Sequence, residues 1–528
     1  MLGSPVPARA RLRPFLLALI AVLLAAGCAT TGGRTPDPSA PPTLTLATGF
    51  AIDDLDPLEN AFWGPEFGYV ELLMRPERGA SPSPWVLKEL TNPSPTAWTL
   101  TLNEGVKFQN GASLDGAALA ALLTFQLERN PDFAAALPGA TAAATGPLQV
   151  TLTTAKPAPN VPFLLADEAM VPVYDVAAYR KHLDAKAPAT ALLGAGLYTA
   201  AYRVDSLDGA SMQLSPNPTY WGGTPALTDL TVRFVPDAGA RIQAVQTGEA
   251  DIALYPPTAS APTLAGRTDS FYVTGEATGP TFMLEFNQRS APFDDPLVRQ
   301  AVYAGIDYDA LAGQVMNGLY APAIGLYAET RPWAEKTQRF DAARAGALLD
   351  RAGWTRTGEG GRTKAGTPLA FTVNTYPQQP DSDTLALAVQ AQLKTVGIDV
   401  KISQVPDINS VVEQSTGWQA AVIGNGFISF GGDYITPLVN YLHTGGPKNV
   451  TGISDPVLDG LIDRVAVELD ATTRDGLLRQ IQTVVADGGY IGYLGMRKGA
   501  VVAGPRWRDY AVPIANLWVG PKTSPAIG

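Results

Sequence analysis

The sequence predicts an α/β fold in two lobes. Its 528 residues exceed what one hydrophobic core supports, since domains of about 100–200 residues are typical. Two strand–helix–strand units, at 230–254 and 369–402, are separated by long mixed regions, and each requires a crossover connection. Apolar residues supply 46% of the chain and charged residues 16%, beside 52 glycines and 45 prolines, which describes a turn-rich globular protein and excludes a disordered one.

In chain order, Arg9, Arg11 and Arg13 precede an apolar run from Phe15 to Ala26, and Leu24-Ala25-Ala26-Gly27 leads into Cys28, the one cysteine. A basic start, a short apolar stretch and small residues before a cut site form a secretory signal, residues 1–27. Twelve apolar residues fall short of the about 20 that span a bilayer. The arrangement resembles a bacterial lipoprotein signal, in which cleavage before Cys28 frees its amine and the thiol carries a diacylglycerol. Residues 28–42 then form a lipid-anchored flexible linker, Gly- and Pro-rich, reaching at most about 40 Å. Without the signal the chain carries 35 basic and 49 acidic residues, a net of −14, which argues against nucleic acid.

The folded body begins with the alternating strand Thr43 to Ala47. Trp98 to Leu102 alternates again, Asn103-Glu104-Gly105 breaks it and Val106 to Phe108 resumes, which predicts a hairpin. Asp115 precedes an alanine- and leucine-rich helix through Leu127, and Leu148 to Leu152 is a further strand. Leu230 to Phe234, a helix from Ala238 to Gly248, and Asp251 to Leu254 make the first strand–helix–strand unit. Phe282 to Asn287 is a strand followed by a helix at 300–305, and Asp341 caps a helix through Ala352 whose residues Ala345, Leu348, Leu349 and Ala352 share one face. The second unit runs from strand Leu369 to Thr375 through a helix begun at Asp383, with Leu387, Val389, Leu393 and Val396 on its buried side, to strand Ile398 to Ile402.

Catalytic constellations are scarce. With two histidines, His182 and His443, and one cysteine already spoken for, the usual zinc and nucleophile sets cannot be assembled. No Gly-rich phosphate loop, nucleophile elbow or His-Glu-x-x-His pattern occurs, so the chain reads as a non-enzyme without a cofactor, with a two-carboxylate glycosidase, which no motif marks, left open to geometry.

Trp98 to Gly111 with Leu114-Asp115-Gly116-Ala117 resembles the signature region of the family 5 extracellular solute-binding proteins, the dipeptide, oligopeptide and nickel binders of ABC importers. The likeness continues through Gly194 to Tyr198, Asn217 to Gly222, Gly248 to Ile252, Asn287 with Pro292 to Ala301, Ala347 to Trp354, and Gly432-Asp433-Tyr434 with Pro437. The resemblance implies a two-lobed periplasmic-binding-protein-like fold with a hinge. Lobe one would comprise 43–280 and 487–528, with an inserted subdomain at about 62–190; lobe two would be 281–486. It further implies a monomer held outside the cytoplasmic membrane by its lipid, which encloses a solute between the lobes and delivers it to an ABC permease and ATPase complex.

In peptide-binding members an aspartate before a tyrosine pairs with the free α-amino group of the ligand, and Asp433 before Tyr434 matches it. The chain departs from the family at Thr436, where a second acid is common. Phe62, Trp63, Trp418, Phe427, Phe430 and Tyr434 are candidate cleft walls. The nickel-binding branch offers the alternative solute, a metal chelate, with His443 in a Gly-rich loop as a weak ligand candidate. A surface receptor or structural lipoprotein that has lost transport is the alternative from another class.

Overall fold

The computed structural model describes residues 42–77, 81–277, 281–358, 360–377, 379, 381–424, 432–513 and 516–525. Cys28, Phe427 and Phe430 lie outside them, as do the signal and all but the last residue of the linker. Among the described residues no helix is long and apolar enough to cross a membrane.

Two sheets organise the chain. The larger has seven strands in the order Phe271–Thr274, Ala500–Ala503, Ile252–Leu254, Thr43–Thr48, Asp229–Phe234, Ser211–Pro216 and Tyr202–Leu207. Thr43–Thr48 lies at its centre because both faces of the strand are apolar: Leu44 and Leu46 enter the main core, while Ala47 meets a smaller one with Ala244 and Val245 of the helix Ala238–Thr247. A strand buried on both sides suits parallel neighbours. The first strand–helix–strand unit accordingly places its two strands parallel, one on each side of Thr43–Thr48 and not against each other. Its helix is capped by Asp237, which accepts from Ala240 N at 2.7 Å, and ends at Gly248 with φ +76, a conformation glycine adopts freely.

The second sheet has six strands in the order Tyr320–Ala321, Ile491–Arg497, Thr281–Phe286, Ala420–Gly424, Ala370–Thr375 and Asp399–Gln404. The second unit appears as expected, Ala370–Thr375 and Asp399–Gln404 pairing in parallel. Leu387, expected on the buried side of the intervening helix Asp381–Thr395, is instead 57% exposed. Leu385, Ala386, Val389 and Leu393 form the buried stripe, and at about 100° per residue position 387 points some 200° away from 389. The chain passes from the second sheet to the first between Arg497 and Ala500.

Each sheet has its own core, one drawn from 44–254 and 501–519, the other from 282–496. They define two lobes. Phe163, from the first lobe, is buried in the core of the second.

A separate four-stranded sheet, Leu87–Ser94, Ala97–Leu102, Gln149–Thr153 and Thr141–Gly146, falls within 62–190 and packs into the first core. Here the expected hairpin is replaced. Ala97–Leu102 pairs with Leu87–Ser94 and Gln149–Thr153, whereas 106–113 contributes one isolated bridge, Lys107 to Ser113. Val106 and Phe108 are buried as anchors of a loop, not as strand residues. The Asp115 carboxylate accepts from Ala118 N at 2.9 Å and starts the helix Gly116–Arg129.

Candidate functional site

The candidate site lies where the lobes meet. Gly432, at φ +84, turns the chain so that the Asp433 carboxylate meets the first N–H groups of the short helix Ile435–Pro437. The Asp433 carboxylate is buried. Its Oδ1 accepts from Ile435 N at 2.8 Å and Thr436 N at 3.3 Å, and its Oδ2 accepts from the Thr436 hydroxyl. Thr436, which stands where a second acid is common in the family, thus contributes a donor to Asp433 rather than a competing charge. From the first lobe, the buried Asn160 amide reaches Asp433 Oδ2 at 3.5 Å, the outer limit of a hydrogen bond. Burial pushes the Asp433 carboxyl up from its usual range, and the hydrogen bonds pull it back.

Tyr434 is buried beside Asp433. Its ring meets Phe163 edge-on at 5.2 Å and Trp333 at 4.8 Å, and the Arg331 and Arg474 guanidinium groups flank this cluster. Asn160 and Phe163 therefore bring one short segment of the first lobe onto the Asp433–Tyr434 pair. Neither residue was indicated by sequence pattern, because the stretch Pro157 to Pro162 has no strand or helix periodicity.

The remaining sequence candidates divide. Trp63 stacks on Phe50 at 5.0 Å, and Phe62 meets Trp63 edge-on at 5.1 Å. Phe50 is 47% exposed and leans on Tyr255, which in turn meets Trp518. This aromatic row belongs to the first lobe. Beneath it, Glu66 Oε2 accepts from Tyr255 Oη at 2.9 Å and Trp518 Nε1 at 3.2 Å, which fixes both rings. Trp418 is not part of that row: it fills a small core with Tyr376, Ile408, Val412 and Ile423. His443 lies at the foot of the second lobe's helix Pro456–Val465, 3.8 Å from Asp459 and 3.5 Å from Asp463, with Nδ1 2.8 Å from Thr444 O. Among the described residues no three His, Cys, Asp or Glu side chains converge as a metal site.

Several buried acids share an electrostatic consequence. Burial pushes the Glu66 carboxyl up to about 8 and the Glu285 carboxyl, whose Oε2 has no hydrogen-bond partner, up to about 7, against an ordinary 4.5. The folded protein thus keeps protons that the unfolded chain releases above about pH 4.5. Stability from these groups is full below that pH and is lost as pH rises through the folded values, at about 1.4 kcal/mol per pH unit for each group within its window. Thermal melts should show Tm falling between about pH 5 and pH 8, less steeply for Glu285→Gln. A Tm rising across that range would show that these carboxyls are not the ones that titrate.

The comparisons fit this geometry. A family model for bacterial extracellular solute-binding proteins, family 5, matches residues 81–449, more than half of the chain. The chain belongs to this family. The nickel-binding periplasmic protein of Escherichia coli K12 is 26% identical over 477 residues, covering 85% of this chain and 88% of the relative. NikA of Staphylococcus aureus, solved with Ni(L-His)2, superposes with a TM-score of 0.74 at 20% identity, covering 92% of this chain and all of the other. The oligopeptide-binding protein AppA of Bacillus subtilis, solved with a nonapeptide, does so at 0.70 and 19%, with the same coverage. These superpositions establish the two-lobed fold, and the family match makes this a solute-binding protein of the extracytoplasmic kind.

Proposed function

We propose that this family 5 protein is the substrate-binding lipoprotein of an ABC import system and captures a short peptide or related amine-bearing solute between its lobes. The observation that carries the reading is the buried Asp433 carboxylate at the lobe seam, with the Asn160 amide as its weakly held partner from the opposite lobe. An ammonium entering there replaces a 3.5 Å contact with a charge-assisted bond and offsets the desolvation of the carboxylate. Lobe closure then follows from the better contacts of the closed state, and the closed monomer, tethered through Cys28, presents the solute to its permease and ATPase. No chemical step is required of the protein.

A metal chelate is the second reading, favoured by the similarity to the nickel-binding protein of Escherichia coli. Native mass spectrometry of protein purified from its own host separates the two. A co-purifying peptide mass supports the proposal, and a metal-containing mass overturns it.

A further inference from the structure

A second polar contact joins the lobes. Asp381, the first residue of the helix Asp381–Thr395, is buried in the second lobe, and each of its carboxylate oxygens takes a hydroxyl. Tyr320 Oη, from the same lobe, donates to Oδ2 at 3.0 Å. Thr258 Oγ1, from the first lobe, donates to Oδ1 at 2.9 Å. Both donors are buried. Tyr320 pairs with Arg497, after which the chain crosses to the first sheet, so the contact lies beside the crossing.

The first lobe presents Thr258 on a stiff segment. Pro256 and Pro257 precede it and fix two backbone angles, and Arg241 grips the carbonyls before them, Nε on Leu254 O at 3.1 Å and Nη2 on Tyr255 O at 3.2 Å. Tyr255 stands at φ +53, a left-handed conformation uncommon for a tyrosine. Arg497 Nη2 donates to Pro256 O at 3.2 Å and ties the same segment to the crossing.

The two hydroxyls on Asp381 differ in one respect. Tyr320 travels with Asp381 when the lobes part, whereas Thr258 does not. The Thr258 hydrogen bond therefore favours the closed arrangement alone, because water replaces it in the open one. Bonds to an ionised acceptor are stronger than neutral ones, and deleting the donor while the carboxylate stays buried strands an oxygen. We propose that the Thr258–Asp381 hydrogen bond is an interlobe latch that holds the lobes together before solute arrives and so raises affinity without touching the solute. The inference rests on the two-lobed binding reading but on no particular solute.

The test is small-angle X-ray scattering of the solute-free protein, with thermal melts alongside, for wild type, Thr258→Val, Thr258→Ser and Tyr320→Phe. Thr258→Val keeps the shape and removes the hydroxyl; its radius of gyration is expected to exceed the wild-type value by about 1 Å, against the roughly 23 Å of a compact chain this long. Thr258→Ser, which restores a hydroxyl, should return to the wild-type radius. Tyr320→Phe removes the donor that does not cross the seam, and should lower Tm while keeping the wild-type radius. In calorimetry Thr258→Val should bind the short peptide about 10-fold more weakly than wild type. If the peptide binds neither protein the peptide reading fails, and the scattering still decides the latch. A wild-type radius for Thr258→Val, or an equal expansion in Tyr320→Phe, would overturn it.

Discussion

Replacing Glu71 by alanine is expected to cost the fold about 3–5 kcal/mol and to lower Tm by about 5–10 °C. The Glu71 side chain is fully buried and accepts from Thr199 Oγ1 at 2.8 Å, Tyr220 Oη at 2.8 Å and Trp221 Nε1 at 3.0 Å. Burial pushes its carboxyl up, and these three donors pull it down. Truncation strands the donors; Thr199 has no solvent to turn to, and each buried orphan costs about 1–3 kcal/mol. The site also gives the block Asn217 to Gly222 a physical purpose. Asn217 Nδ2 donates to Ala200 O at 3.0 Å and holds the turn that aims Tyr220 and Trp221 at Glu71. Glu71→Gln, which keeps an acceptor, should fall between alanine and wild type in differential scanning calorimetry. An unchanged Tm for Glu71→Ala would show that the cluster is not a structural clamp.

Asp433→Asn is expected to weaken a peptide with a free amino terminus by about 2–5 kcal/mol, roughly 30-fold to several thousand-fold. The substitution isolates the charge. Asparagine is as good a helix cap as aspartate and can still accept from Ile435 N and Thr436 N, so the turn after Gly432 should survive. The N-acetylated peptide, which offers no ammonium, should bind both proteins alike. Equal losses for the two peptides in calorimetry would assign Asp433 to the turn alone.

Local order was legible in the sequence because its signals are local. Asp115 and Asp341 announce helices and cap them, and the alternation of Ala370–Thr375 and Asp399–Gln404 gives two strands that pair in parallel. Pairing was less legible. Nothing near Trp98 tells it to pair with Gln149–Thr153 instead of Val106 to Phe108, since that choice is made by contacts some fifty residues apart. The candidate site splits in the same way. Asp433 and Tyr434 were found through the family pattern, whereas Asn160, Phe163 and Arg331 reach the seam only by tertiary placement. Arg331 reads as one more surface cation until its place beside Trp333 and Gly432 is known, and the buried Glu66 and Glu71 are indistinguishable from solvated acids. Trp418 shows the converse error, an aromatic near a motif whose ring is used by a core.

Calorimetric titration of the wild-type protein with one short peptide, free and N-acetylated at its amino terminus, decides whether the seam recognises an amine. The free peptide is expected to bind saturably and about 30-fold or more tightly than its acetylated form. Equal affinity for the two would contradict an amine-reading carboxylate at Asp433, and binding of nickel–histidine with neither peptide bound would contradict peptide capture altogether.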